Sequence, residues 1–135
     1  MSPVTTMRST LRVVGVWLVL GGLAHFVGIG RAMWLAGASM TGEHRIYLIL
    51  IGLVQVAAGS LHLLARRALV ANEAAWRSLE AVACGLMVVW GAVETPHVID
   101  HPPPFSLGAP SYLLVHVVLG IVVWQRAGAG IVGGT

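Results

Sequence analysis

Ile46-Tyr-Leu-Ile-Leu-Ile-Gly-Leu-Val-Gln55-Val-Ala-Ala-Gly-Ser-Leu-His62-Leu-Leu-Ala65 decides the fold. A helix needs about twenty mainly apolar residues to cross the hydrocarbon core of a bilayer, and this stretch supplies them without an ionised carboxylate, lysine or arginine. It lacks the period-two alternation of a half-buried strand. A backbone surrounded by lipid must also satisfy its own hydrogen bonds, which a single helix does and an open strand does not.

Three further apolar stretches flank it, near Val13–Gly30, Ala74–Val93 and Ala109–Gln125. Polar breaks separate all four, and the connections are short, so the expected architecture is all-α: one transmembrane domain over residues 1–135, an up-down-up-down four-helix bundle. Composition agrees. The chain is 57% hydrophobic and 10% charged, against about 25% charged in an ordinary soluble domain. Its net charge of +3 rests on arginine alone, and no basic run is long enough to suggest nucleic acid. Cys84 is the single cysteine, which excludes an intramolecular disulfide and any cysteine-rich metal centre.

Arginine placement sets an expected orientation. Arg8 and Arg12 precede the first stretch, Arg66, Arg67 and Arg77 surround the second connection, and Arg126 follows the fourth, leaving Arg31 and Arg45 on the opposite side. The positive-inside rule then puts both termini in the cytoplasm. Trp17, Trp34, Trp76 and Trp124 fall near span ends, where interfacial aromatic anchors belong, and Trp90 lies deeper. The first apolar run is long for a cleavable leader, so it is read as a retained span. Glycines at seven-residue spacing, Gly15/Gly22, Gly21/Gly28 and Gly52/Gly59, each share a helix face and predict close approach of the first two helices.

The ionisable residues fall at two depths. On the outer side lie His25, Glu43, His44, Glu94, His97, Asp100, His101 and His116, delivered by all four helices to one membrane face. Imidazole and carboxylate donors suit a transition metal, with Glu94, His97 and His101 as the nearest set, although Pro102–Pro104 disfavour helical geometry for the residues just before them. A solvated polar loop is the other reading of that segment. His25 and His116 could clamp a haem from two helices, or each could simply hydrogen-bond a neighbouring helix. On the inner side His62 and Glu80 match in depth if their helices are antiparallel neighbours, which predicts a hydrogen bond that serves either as interhelical glue or as a proton relay. Gln55, near the middle of its span, is expected to bond another helix or a polar head group.

No phosphate-cradling glycine loop, nucleophile elbow or His-Glu-x-x-His motif occurs. The order of features resembles the DoxX-like group of small four-helix bacterial membrane proteins. Arg12 to Gly30 with its Gly-Gly-Leu-Ala-His centre, Gly52 to Arg67 ending in arginines, and Gly128-Ala-Gly130 after the fourth span carry the likeness. Gln55 stands where that group typically has an acidic residue. The resemblance implies an integral protein of the bacterial inner membrane, a subunit associated with quinone-linked oxidation or redox homeostasis, with lipid, quinone and other membrane subunits or further copies of itself as partners. Two other classes stay open: a non-catalytic accessory subunit of a larger membrane complex, and an oligomeric transporter or channel for a small solute.

Overall fold

A computed structural model of the chain describes residues 3–26, 42–98 and 105–128, and these residues are helical apart from one short turn. Among the described residues four helices follow in order: α1 (Pro3–Ala24), α2 (Gly42–Val70), α3 (Ala75–Val98) and α4 (Phe105–Gly128). Three contain stretches long and apolar enough to cross a membrane: Val4–Ala24, Leu48–Val70 and Ala75–Pro96. The fourth, Pro110–Gln125, is apolar but shorter.

The helices outrun the apolar windows from which spans are drawn. α1 begins at Pro3, ten residues before Val13, because proline at a first helical position gives up no needed N–H and arginine is a good helix former. Its end widens into a π turn at His25 and Phe26. α3 continues through Pro96, which cannot donate to the carbonyl of Ala92, while the Thr95 hydroxyl donates to the Gly91 carbonyl at 2.6 Å. α4 starts at Phe105, directly after the three prolines, and holds Pro110 within its early turns. The segments 27–41, 99–104 and 129–135, with Gly28, Trp34, Asp100 and His101, lie outside the described residues.

Between α2 and α3 the chain turns on Asn72, whose φ of 58° is left-handed. Glu73 N–H donates to the Ala68 carbonyl at 2.9 Å and Asn72 N–H to the Leu69 carbonyl at 3.3 Å, the paired bonds of a Schellman ending. Asparagine tolerates this conformation where branched or unadorned side chains do not. Asn72→Ala is expected to cost about 1 kcal/mol and Asn72→Gly less, as read by unfolding in detergent followed by circular dichroism.

α1 and α2 meet through glycine. A side chain at Gly22 would strike the Gly52 carbonyl at 2.7 Å, and one at Gly59 would strike the Gly15 carbonyl at 2.7 Å and the Val19 amide at 2.8 Å. α3 and α4 approach at Gly91, where a Cβ would lie 2.8 Å from Leu113. Gly85 differs, since nothing lies within 4 Å of a side chain there; it sits in an apolar groove with Val54, Val82, Leu86, Val89, Trp90 and Val93. Gly85→Ala should therefore stabilise the helix by about 0.5–1 kcal/mol, measured by the same unfolding assay.

One core layer joins Met7 and Leu11 of α1, Ala65 and Leu69 of α2, Trp76 and Cys84 of α3, and Leu119 and Val123 of α4; a second joins Leu18, Ala58 and Met87. Trp76 is 1% exposed within the first layer, so it is an inward-packed residue and not an interfacial anchor. Its position at the start of α3 faces the other helices, which overrides its nearness to a span end. Trp124, at 81% exposed, lies open on α4, while Trp17 is half-exposed and stacks on Tyr112 with ring centroids 4.8 Å apart.

The distribution of polarity is inverted relative to a water-soluble bundle. Val13, Leu20, Leu53, Val89, Leu114 and Ile121 point outward, whereas Gln55, His62, Glu80, Glu94 and His116 are buried.

Candidate functional site

His62, Glu80 and His116, one from each of α2, α3 and α4, meet inside the bundle with no exposed surface. His62 Nδ1 lies 2.8 Å from Glu80 Oε2. The Cys84 thiol, one turn along α3, donates to the other oxygen of Glu80 at 3.5 Å. Both carboxyl oxygens thus accept hydrogen bonds, which offsets part of the cost of placing the group in an apolar interior.

His116 Nδ1 lies 2.7 Å from the Tyr112 carbonyl, one turn earlier on its own helix. A carbonyl oxygen only accepts, so Nδ1 carries the proton and Nε2 of the neutral ring is a bare lone pair. His62 differs in that its partner is a carboxyl group: with Glu80 ionised, Nδ1–H donates to the carboxylate and Nε2 of the neutral ring is unprotonated. The two rings stand 5.5 Å apart between centroids, inclined by 35°. Neither Nε2 has a hydrogen-bond partner and both are buried.

A second polar tier lies farther along the bundle. Trp90 Nε1 donates to Glu94 Oε2 on α3. On α2, Gln55 is buried opposite Gly21, with the Tyr112 hydroxyl beside the same position. Glu80, Met87 and Glu94 recur every seven residues, as do Gln55 and His62, so by helix rise Gln55 lies about 10 Å from His62 along α2 and Glu94 about 21 Å from Glu80 along α3. Leu18, Ala58 and Met87 fill the layer between the tiers.

Register alters the grouping that span depth suggests. Gly15 packs against Leu63 and Gly59, which sets His62 level with about residue 15 of α1 and about 15 Å from His25 by helix rise. His116 lies with His62, so the structure does not bring His25 and His116 together as axial ligands of one haem, and His116 is not a member of an outer-face group with His25. The reason is the early start of α4 at Phe105, which moves His116 to the middle of its helix. His25 Nδ1 instead bonds to the Gly21 carbonyl at 2.7 Å.

Of the remaining outer-face residues, Glu94 is buried beside Trp90. Glu43 and His44 fall in the first turn of α2 and His97 in the last turn of α3, but their side chains, like Asp100 and His101 altogether, lie outside the described residues. The set Glu94, His97 and His101 is therefore only partly placed. Among the described residues, no three His, Cys, Asp or Glu side chains converge to hold a metal ion.

Sequence reasoning missed the closeness of His116 to His62 and the part of Cys84. The heptad recurrence of Gln55/His62 and Glu80/Met87/Glu94 was the signal that could have found the two tiers. No family model, curated protein or solved structure matches this chain.

Proposed function

We propose that this chain is a multi-pass inner-membrane protein of up-down-up-down topology with both termini in the cytoplasm, and that its buried His62–Glu80–His116 group carries protons for a quinone-linked redox partner. The observation that carries this reading is a cluster of three ionisable side chains from three helices, sealed within a bundle whose outside is apolar. Ionisable groups at such positions are costly in lipid and mark proton or ion pathways more often than chance placement. The opposed order of contacts, Gly15 with Gly59 and Gly22 with Gly52, supports the alternating helix directions. The arginine asymmetry supports the orientation.

Each histidine offers an unprotonated Nε2, and Glu80 supplies the balancing charge, so the cluster can take one proton and remain close to neutral. The layer of Leu18, Ala58 and Met87 separates it from the Gln55–Tyr112 tier. Proton passage therefore requires that layer to open or to admit water, as a gated relay does and an open pore does not.

The test is proton uptake by liposomes carrying the chain together with whatever subunits remain bound in mild detergent, driven by addition of a reduced quinone and followed with an internal pH dye. His62→Asn and His116→Asn retain an amide donor near each Nδ1 position but lose the second ring nitrogen. Each is expected to reduce quinol-driven uptake at least tenfold, with Gly85→Ala unchanged. Equal uptake in wild type and in both histidine variants would overturn the reading, and uptake by the chain alone without quinol would replace the redox link with a channel.

A further inference from the structure

We propose that His62 and His116 together form a binding site for one monovalent soft metal ion, copper(I), held between their two Nε2 atoms. The inference deepens the proton-carrying reading and rests on the same cluster: the metal ion occupies the place where a proton would sit.

Two buried lone pairs without a donor are rare in folded proteins, because each forfeits the hydrogen bond it had in water. Here both belong to rings locked by their other nitrogen, His62 by Glu80 and His116 by the Tyr112 carbonyl. Metal-ligating histidines are oriented in this way, with Nδ1–H given to a carboxylate or backbone oxygen and Nε2 left to the ion. With a metal–nitrogen bond of about 2 Å, two imidazoles on a linear two-coordinate ion place their ring centres about 6.3 Å apart. The ring centres stand 5.5 Å apart, so the rings part by roughly 1 Å or somewhat less to take such an ion between them.

Ligand number and charge select the ion. Glu80, the third member of the cluster, is engaged with His62 Nδ1 and the Cys84 thiol, no three His, Cys, Asp or Glu among the described residues are arranged to hold a metal ion, and zinc in a structural site takes four ligands. Copper(I) is satisfied by two nitrogen donors, and imidazole is among its natural ligands. Glu80, hydrogen-bonded through both oxygens, contributes one negative charge in its ionised form. A monovalent cation leaves the buried group neutral, whereas a divalent ion leaves an uncompensated positive charge within the apolar bundle.

The experiment uses the full chain in lipid nanodiscs, titrated without oxygen with copper(I) supplied as its bicinchoninate complex. The wild type is expected to withdraw one equivalent. His62→Asn and His116→Asn are each expected to weaken retention at least 100-fold, and His25→Ala to leave it unchanged. X-ray absorption of the loaded wild-type protein should give two nitrogen neighbours and no sulfur, a readout that stands even where a variant fails to fold. Failure of the wild type to take copper from the complex, undiminished retention in His62→Asn or His116→Asn, tighter binding of zinc(II), or a sulfur neighbour from Cys84 would each overturn the proposal. Proton uptake is measured separately with a copper chelator present. Uptake without copper binding overturns this inference alone, and copper binding in a chain that moves no protons overturns the proton-carrying reading alone.

Discussion

Gly59→Leu is expected to separate α1 from α2 and lower the stability of the bundle by about 3 kcal/mol. A Cβ at this position already meets the Gly15 carbonyl at 2.7 Å and the Val19 amide at 2.8 Å. Both are backbone atoms on a neighbouring helix, so no side-chain rotation relieves the clash and the helices themselves must move apart. In lipid, close packing of small residues supplies much of the attraction between helices, because burial of apolar surface adds little there. The smaller change Gly59→Ala combines the same clash with a gain of about 1 kcal/mol in helix propensity, and should still destabilise. Unfolding in mixed detergent micelles, followed by circular dichroism, measures both. Gly85→Ala is the internal contrast, since it changes the same residue type where space is open. Equal effects at the two positions would mean that the α1–α2 contact is not the close one described.

Glu80→Ala is expected to be of similar size, about 3 kcal/mol, for an electrostatic reason. The substitution removes the acceptor of His62 Nδ1–H and of the Cys84 thiol at once. Two donors are then left inside a bundle to which water has no access at those residues. Combining Glu80→Ala with His62→Leu removes the charge and its partner together, and should cost less than the sum of the single changes. That non-additivity identifies a direct interaction. Additive losses in the double-mutant cycle would show that His62 and Glu80 are independent.

Much of this arrangement can be read from residue spacing. The length and composition of Ile46–Ala65 are enough for a membrane-type helix, and the glycines at 15, 22, 52 and 59 mark the contact between the first two helices because a residue without a side chain, recurring on one face, lets two backbones approach. His62 and Glu80 could be paired because each stands about the same distance from the short α2–α3 connection. The turn at Asn72 holds that distance fixed.

His116 was less legible for a physical reason. Nearly every residue from Leu113 to Val123 is apolar, so α4 shows no polar face and periodicity cannot tell inside from outside. Its depth depended on where the helix begins, and prolines on both sides of Phe105 obscured that start. Trp76 shows the same limit, since an aromatic residue at a helix end packs inward or sits at an interface according to neighbours that no local window contains. Interhelical register is set by non-local contacts, here Gly15 with Gly59 and Gly91 with Leu113, and it decides which buried groups can touch.

Both the proposed proton-carrying function and the proposed copper site rest on two histidines whose Nδ1 atoms are protonated and whose Nε2 atoms are bare. Nitrogen-15 solid-state NMR of histidine-labelled protein in lipid bilayers reads this directly, because the two tautomers of neutral imidazole have distinct shifts. At alkaline pH, with the rings neutral, the account predicts Nδ1–H signals from His62 and His116 that disappear one at a time in His62→Asn and His116→Asn, beside the Nδ1–H signal of His25, whose ring is held by the Gly21 carbonyl and which persists in both variants. Assignment of either residue to the Nε2–H form would contradict it.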